Sequence, residues 1–210
     1  MRKIKTITVS HAYKPKFDHL VTHREQCGWK IVNPVTEHDG RYFVDMAIEQ
    51  RPIIYTSISG ILYPNDDKSQ SEAVDAYHAG KFTDIQFIPS AVSQMVQLLD
   101  STESRLKTHS MWRYRLFGET DQMVQLFLNN GFQSHHLHPN FFVPPNGRSV
   151  VKELDISFSV SDDALINIVL DTRCLELSSQ FVSHKVQSAS KRLSSSDIDA
   201  IRELIDREVL

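Results

Sequence analysis

The stretch Lys3-Ile-Lys-Thr-Ile-Thr-Val-Ser10 alternates apolar and polar residues, with Ile4, Ile7 and Val9 near one face. That period predicts a half-buried β-strand. Working outward, residues 14–28 predict a helix, with Pro15 in its first turn and Gly28 as its stop. Residues 29–33 read as a short strand and Glu37-His-Asp-Gly40 as a turn. Residues 41–49 then form a second strand, with Tyr42, Val44, Met46 and Ile48 on one face.

This β-α-β-β order is the opening of many ferredoxin-like α+β domains. Residues 52–63 predict a further strand interrupted by Gly60, 69–80 a helix and 83–89 a strand. Residues 90–106 predict a helix carrying Val92, Met95, Val96, Leu98 and Leu99, with Ser90 available as its N-cap. Residues 111–117 are strand-like, and 118–131 hold a helix. The run 133–148 contains three prolines and a histidine cluster and reads as an irregular connection. Residues 150–160 predict a strand. Residues 164–171 satisfy both periods, and the flanking Ser161-Asp-Asp163 favours a strand meander. Residues 196–210 predict a helix with an apolar stripe of Ile198, Ile201, Leu204 and Ile205. The expectation is an α+β protein with a mixed or antiparallel sheet. It forms one domain over residues 1–210, with any boundary in the 133–148 connection.

At 210 residues and 24.1 kDa, the chain is long enough to bury a core without disulfide or metal staples. Its 40% hydrophobic and 23% charged residues and mean hydropathy of -0.30 are ordinary for a globular protein. The seven glycines are scattered, so neither G-x-G-x-x-G nor G-x-x-x-x-G-K phosphate cradles can be written onto the chain. Cys27 and Cys174 match no C-x-x-C pattern. The amino terminus lacks the apolar run of a secretory signal, and no run reaches the ~18 residues of a membrane span. A cytoplasmic location without membrane contact is the resulting expectation.

Net charge is -3, but its distribution is uneven: residues 1–30 carry +5, 31–100 carry -6, 101–150 carry +2 and 151–210 carry -4. If the two positive segments meet in space, they form a basic face. The second of them contains Arg105-Leu-Lys-Thr-His-Ser-Met-Trp-Arg-Tyr-Arg-Leu-Phe117, where cations interleave with aromatics. Arg105, Lys107, His109, Trp112, Arg113, Tyr114 and Arg115 are therefore candidates for nucleic-acid contact, cations holding phosphates and aromatic planes stacking on bases. The competing arrangement puts Trp112 and Tyr114 on the core side of a strand and the arginines on its wet side.

Two histidine groups are candidate metal ligands. His19 and His23 lie one turn apart on the first helix, the spacing by which helices chelate zinc, although Leu20 occupies the place of the glutamate in H-E-x-x-H. In His135-His-Leu-His138, alternation on an extended segment lets His136 and His138 share a site. The leading functional expectation is a nucleic-acid-binding or processing accessory protein that needs no cofactor. The alternatives are a hydrolase using a divalent metal on the histidines, and an adaptor that docks a protein partner through the carboxyl-terminal helix.

Overall fold

A computed structural model of the chain describes residues 3–114, 120–144, 152–161, 163–186 and 192–209. The chain divides into two compact units, residues 1–51 and 52–210.

In the smaller unit, β1 (Lys3–His11) runs antiparallel to β4 (Arg41–Thr56), in a register from Lys3↔Gln50 to His11↔Tyr42. Between them lie α1 (Lys14–Gln26) and the short strands β2 (Lys30–Ile31) and β3 (Thr36–His38), both antiparallel to β4. Asp39 and Gly40 both have positive φ, at 49° and 70°. Two such residues between antiparallel strands make the tight turn whose twist matches the strands, which is what an Asp-Gly pair favours. Phe17 and Val21 of α1 are buried in one cluster with Val9, Val44, Met46, Ile48 and Trp29. Met46 is fully buried, and removing such a side chain from water contributes about 1.5–3 kcal/mol.

The larger unit is built differently. Its sheet has the order β6-β5-β4-β7-β8, where β5 is Arg105–Thr108, β6 Leu137–Phe142, β7 Ala164–Asp171 and β8 Phe181–Lys185. β5 is parallel to β4 from Ile53↔Arg105 to Thr56↔Thr108, β6 is parallel to β5, and β7 is parallel to β8. The five core strands are all parallel, and the described helices of this unit are α2 (Asp67–His78), α3 (Pro89–Thr102), α4 (Thr120–Asn129), α5 (Lys152–Ser157) and α6 (Ser195–Val209). The fold is α/β, which overturns the expected α+β class and mixed or antiparallel sheet.

The physical reason lies in burial on both faces. Ile54, Leu106, Ile168 and Leu170 join one apolar cluster, whereas Ile53, Tyr55 and Val169 join another with Ile156 and Phe181. Parallel strands covered on both sides are continuous apolar runs rather than alternating ones. Pro52-Ile-Ile-Tyr55 is a run of this kind, and Ala164–Leu170 is one broken only by the buried Asn167. The alternation of the amino-terminal strands does not extend to these buried runs.

Several local expectations change with it. The strand expected over 52–63 ends at Thr56, and the one expected over 83–89 is replaced by a 3-10 turn at Phe82–Asp84 and the start of α3. Residues 111–114 form a 3-10 turn rather than a strand, and 115–117 lie outside the described residues. Lys152–Ser157 is helix where a strand was expected, and the supposed irregular connection contains β6. The ambiguous 164–171 segment is β7. In α6, Ile198, Ile201 and Ile205 enter the core cluster of their own unit, so this apolar stripe is already covered. Among the described residues, no helix is long and apolar enough to cross a membrane.

Candidate functional site

Parallel strands all end on one edge of a sheet, and the crevice outside their carboxyl ends is where open α/β sheets place ligands. Here β4 ends at Thr56, β5 at Thr108 and β7 at Asp171. The residues that follow them, together with α5, enclose a cleft of about 500 Å³. Ser57 and Ser59 come from the turn after β4, Met111 and Trp112 from the 3-10 turn after β5, and Asp171, Thr172 and Arg173 from the end of β7. Lys152 and Glu153 of α5 complete one wall, and Asn65 and Gln70 another.

Gly60 explains how the first of these turns fits. The carbonyl of Ile58 accepts from the N–H groups of Ile61, Leu62 and Tyr63, so the chain reverses sharply after Ser59. Gly60 has φ +81°, and a Cβ there would stand 2.5 Å from Thr172 Cγ2. Only glycine allows both the left-handed backbone and this approach of the β4 turn to the residues after β7.

Charge is concentrated on the cleft wall. Lys152 Nζ donates to Asp171 Oδ2 at 2.6 Å, and both side chains are buried. The backbone N–H of Arg173 donates to Asp171 Oδ1 at 3.0 Å, and the exposed Arg173 guanidinium lies 3.8 Å from that oxygen. Burial opposes charge on Asp171, but the Lys152 charge and hydrogen bond outweigh it and hold the carboxyl below the usual carboxylate range. Burial also pulls the Lys152 amine below an ordinary lysine, a shift that Asp171 partly offsets.

Behind this pair, His109 is fully buried. Its Nε2 lies 3.1 Å from the carbonyl of Leu170, which can only accept, so the imidazole carries its proton on Nε2. Nδ1 then bears a lone pair, has no hydrogen-bond partner among the described residues, and lies 3.9 Å from Asp171 Oδ2. That separation is too long for a hydrogen bond, so the carboxylate does not hold a second proton on Nδ1. Burial, reinforced by the Lys152 charge, pushes its pKa down to about 3.

The residues singled out for nucleic acid are mostly turned inward. Lys107 Nζ donates to the Ser159 carbonyl at 2.9 Å and to Ser161 Oγ at 3.1 Å, and it sits over the Tyr55 ring. Arg113 donates to the carbonyls of His109 and Ser110 and pairs with Asp155, which also accepts from the Tyr114 hydroxyl. Trp112 is buried edge-on to Tyr63 and Phe82, and its Nε1 donates to Gln70 Oε1 at 3.3 Å. Arg105 is half-buried 3.6 Å from Asp163, and Arg115 lies outside the described residues. Buried in this way, Lys107, His109 and Arg113 offer no surface for phosphates or bases. Of this group, Trp112 lines the cleft directly, and His109 sits behind its ion pair.

The candidate metal ligands are not brought together as expected. His19 and His23 are exposed on α1 of the smaller unit. In the larger unit, His136 and His138 bind separate carboxylates: His136 Nε2 lies 2.8 Å from Asp100, and His138 Nε2 lies 3.1 Å from Asp163. Asp100, His135 and His136 do gather ligand atoms within 4.8 Å of one another. However, His136 Nδ1 accepts the N–H of Gln133 at 3.0 Å, so a neutral His136 must carry its proton on Nε2, facing Asp100. A metal on Nε2 would force that proton onto Nδ1, against the Gln133 N–H. The arrangement is a hydrogen-bonded tie between α3 and the turn before β6.

Ser57, Ser59, Gln70, Lys152, Asp171 and Arg173 were not singled out from sequence. One signal was available: a polar group stands directly after each continuous apolar run, Ser57-Ile-Ser-Gly60 after β4 and Asp171-Thr-Arg173 after β7. No family model matches the chain, and neither a curated protein nor a solved structure matches it.

Proposed function

We propose that the 52–210 unit is a binding module for a small anionic molecule, held in the cleft at the ends of β4, β5 and β7. The observation that carries this reading is the Lys152–Asp171 pair on the wall of that cleft, with Arg173 beside it. Two cations there face the carboxylate of Asp171, and the half-buried Glu153, next to Lys152 on α5, adds a second carboxylate to the lining. Lys152 makes one hydrogen bond among the described residues, to Asp171, whereas an ammonium group has three N–H donors. The remaining donors and the exposed Arg173 side chain suit an oxyanion, with the Ser57 hydroxyl in the same cleft as a further donor.

Calorimetric titration of the full chain with inorganic phosphate at low ionic strength tests the reading. Saturable binding at one site is expected. Arg173→Gln and Lys152→Gln should each weaken it by about tenfold or more, as expected for loss of a hydrogen bond to a charged group. Equal binding by the parent and both variants would refute it.

A further inference from the structure

The cleft has an apolar neighbour. Ala73 and Tyr77 of α2, Phe82, and the pair Met111 and Trp112 line a second, more enclosed cavity of about 130 Å³. Gln70, Met111 and Trp112 line both spaces. Gln70 is fixed where they meet: its Oε1 accepts from Ser59 Oγ at 3.0 Å and from Trp112 Nε1 at 3.3 Å, and its Nε2 donates to the Pro64 carbonyl at 2.7 Å. The rings on the far side form an edge-to-face chain, Tyr77 to Phe82 and Phe82 to Trp112, with centroids 6.1 and 5.7 Å apart. Met111, 41% exposed, closes the shared wall with an unbranched thioether that can shift to suit an occupant.

We infer that the ligand of the cleft is an aryl oxyanion, whose charged group lies at Lys152 and Arg173 and whose ring enters the Ala73–Tyr77–Phe82–Trp112 cavity. This inference rests on the anionic reading of the cleft. An apolar cavity of about 150 Å³ accepts a benzene ring, so the space present fits one six-membered ring and not a fused pair. Tyr77, Phe82 and Trp112 line that space, and aromatic rings take up tilted contacts with one another in preference to flat sandwiches. An alkyl group of one or two carbons would leave most of those walls unmatched, and a polar tail would lose its hydration without a partner. Selectivity thus comes from the apolar cavity, and orientation from the cations.

The test compares phenyl phosphate with methyl phosphate on the full chain by calorimetry, with Ala73→Leu and Tyr77→Ala as variants. Phenyl phosphate should bind about tenfold or more tighter than methyl phosphate. Ala73→Leu fills the cavity and should erase the preference for phenyl over methyl phosphate. Tyr77→Ala removes a wall from a half-buried position and should reduce the preference in the same direction, which keeps the test decisive if Ala73→Leu does not fold. Equal binding of the two phosphates by the parent chain overturns the aryl assignment and leaves the anionic cleft standing. Binding of neither removes the cleft reading, and the aryl assignment falls with it.

Discussion

Two buried ion pairs in the larger unit share the same chemistry and differ in what surrounds them. Arg113 and Asp155 are wholly enclosed, and the guanidinium is further bonded to the carbonyls of His109 and Ser110. Lys152 and Asp171 are nearly as buried, but they form part of a cleft wall, and the ammonium makes one hydrogen bond among the described residues. The first pair is enclosed by backbone carbonyls and a tyrosine hydroxyl, although Arg113 Nε has no hydrogen-bond partner among the described residues. The second has one hydrogen bond among the described residues for three N–H groups, and it borders a cleft. Burial of charge is thus common to both pairs, and the proposal rests on the cleft beside the second.

The sharpest way to break this contrast is to remove one partner from each pair. Asp155→Ala leaves the Arg113 guanidinium enclosed without its carboxylate, and should cost about 3–5 kcal/mol in urea unfolding. Lys152→Gln should cost less, about 1–3 kcal/mol, because cleft water can reach the orphaned Asp171 and glutamine can still donate to it. If the two substitutions cost the same, the pairs do not differ in the way described.

Proton linkage sharpens the contrast further. The unfolded chain binds a proton on His109 near pH 6.5, whereas the buried imidazole holds out to about 3. Between those values the unfolded state carries more protons, so stability falls as pH drops, by up to about 1.4 kcal/mol per unit from this one group. Asp171 acts in the same direction at lower pH. Its depressed pKa contributes stability that is complete above the ordinary carboxylate range and lost as pH falls through the native value. Urea unfolding between pH 7 and 4.5 should show the His109 slope, and His109→Gln should flatten it. An unchanged slope would show that the imidazole is not held neutral behind the pair. The smallest stability effect belongs to Arg173→Gln. Its exposed side chain should alter folding by less than about 0.5 kcal/mol while weakening phosphate binding.

How much of this was legible in the chain follows from what each residue packs against. The alternation of Lys3–His11 and the Asp39-Gly40 turn depend on local period and local backbone, and both appear in the smaller unit. The continuous apolar runs around Ile54 and Val169 carried the parallel sheet, but a run buried on both sides has no period to separate strand from helix. Arg113 looked solvent-facing because residues 111–117 were given strand alternation. In the 3-10 turn Met111–Tyr114, its direction instead follows from Asp155, which lies 42 positions away in sequence. Lys152 was hidden for a related reason. Its segment was read as a strand, and its partner Asp171 is brought to it by the sheet rather than by any spacing along the chain.

The central claim is that Lys152 and its neighbours, not the enclosed Arg113 pair, receive an anion. Crystals of the full chain grown with selenate, mapped by the anomalous signal of selenium, test this most directly. The account predicts a selenate in the cleft with an oxygen within hydrogen-bond distance of Lys152 Nζ and the Arg173 guanidinium turned toward it. A cleft without selenate at concentrations that place the anion elsewhere on the protein would contradict the account.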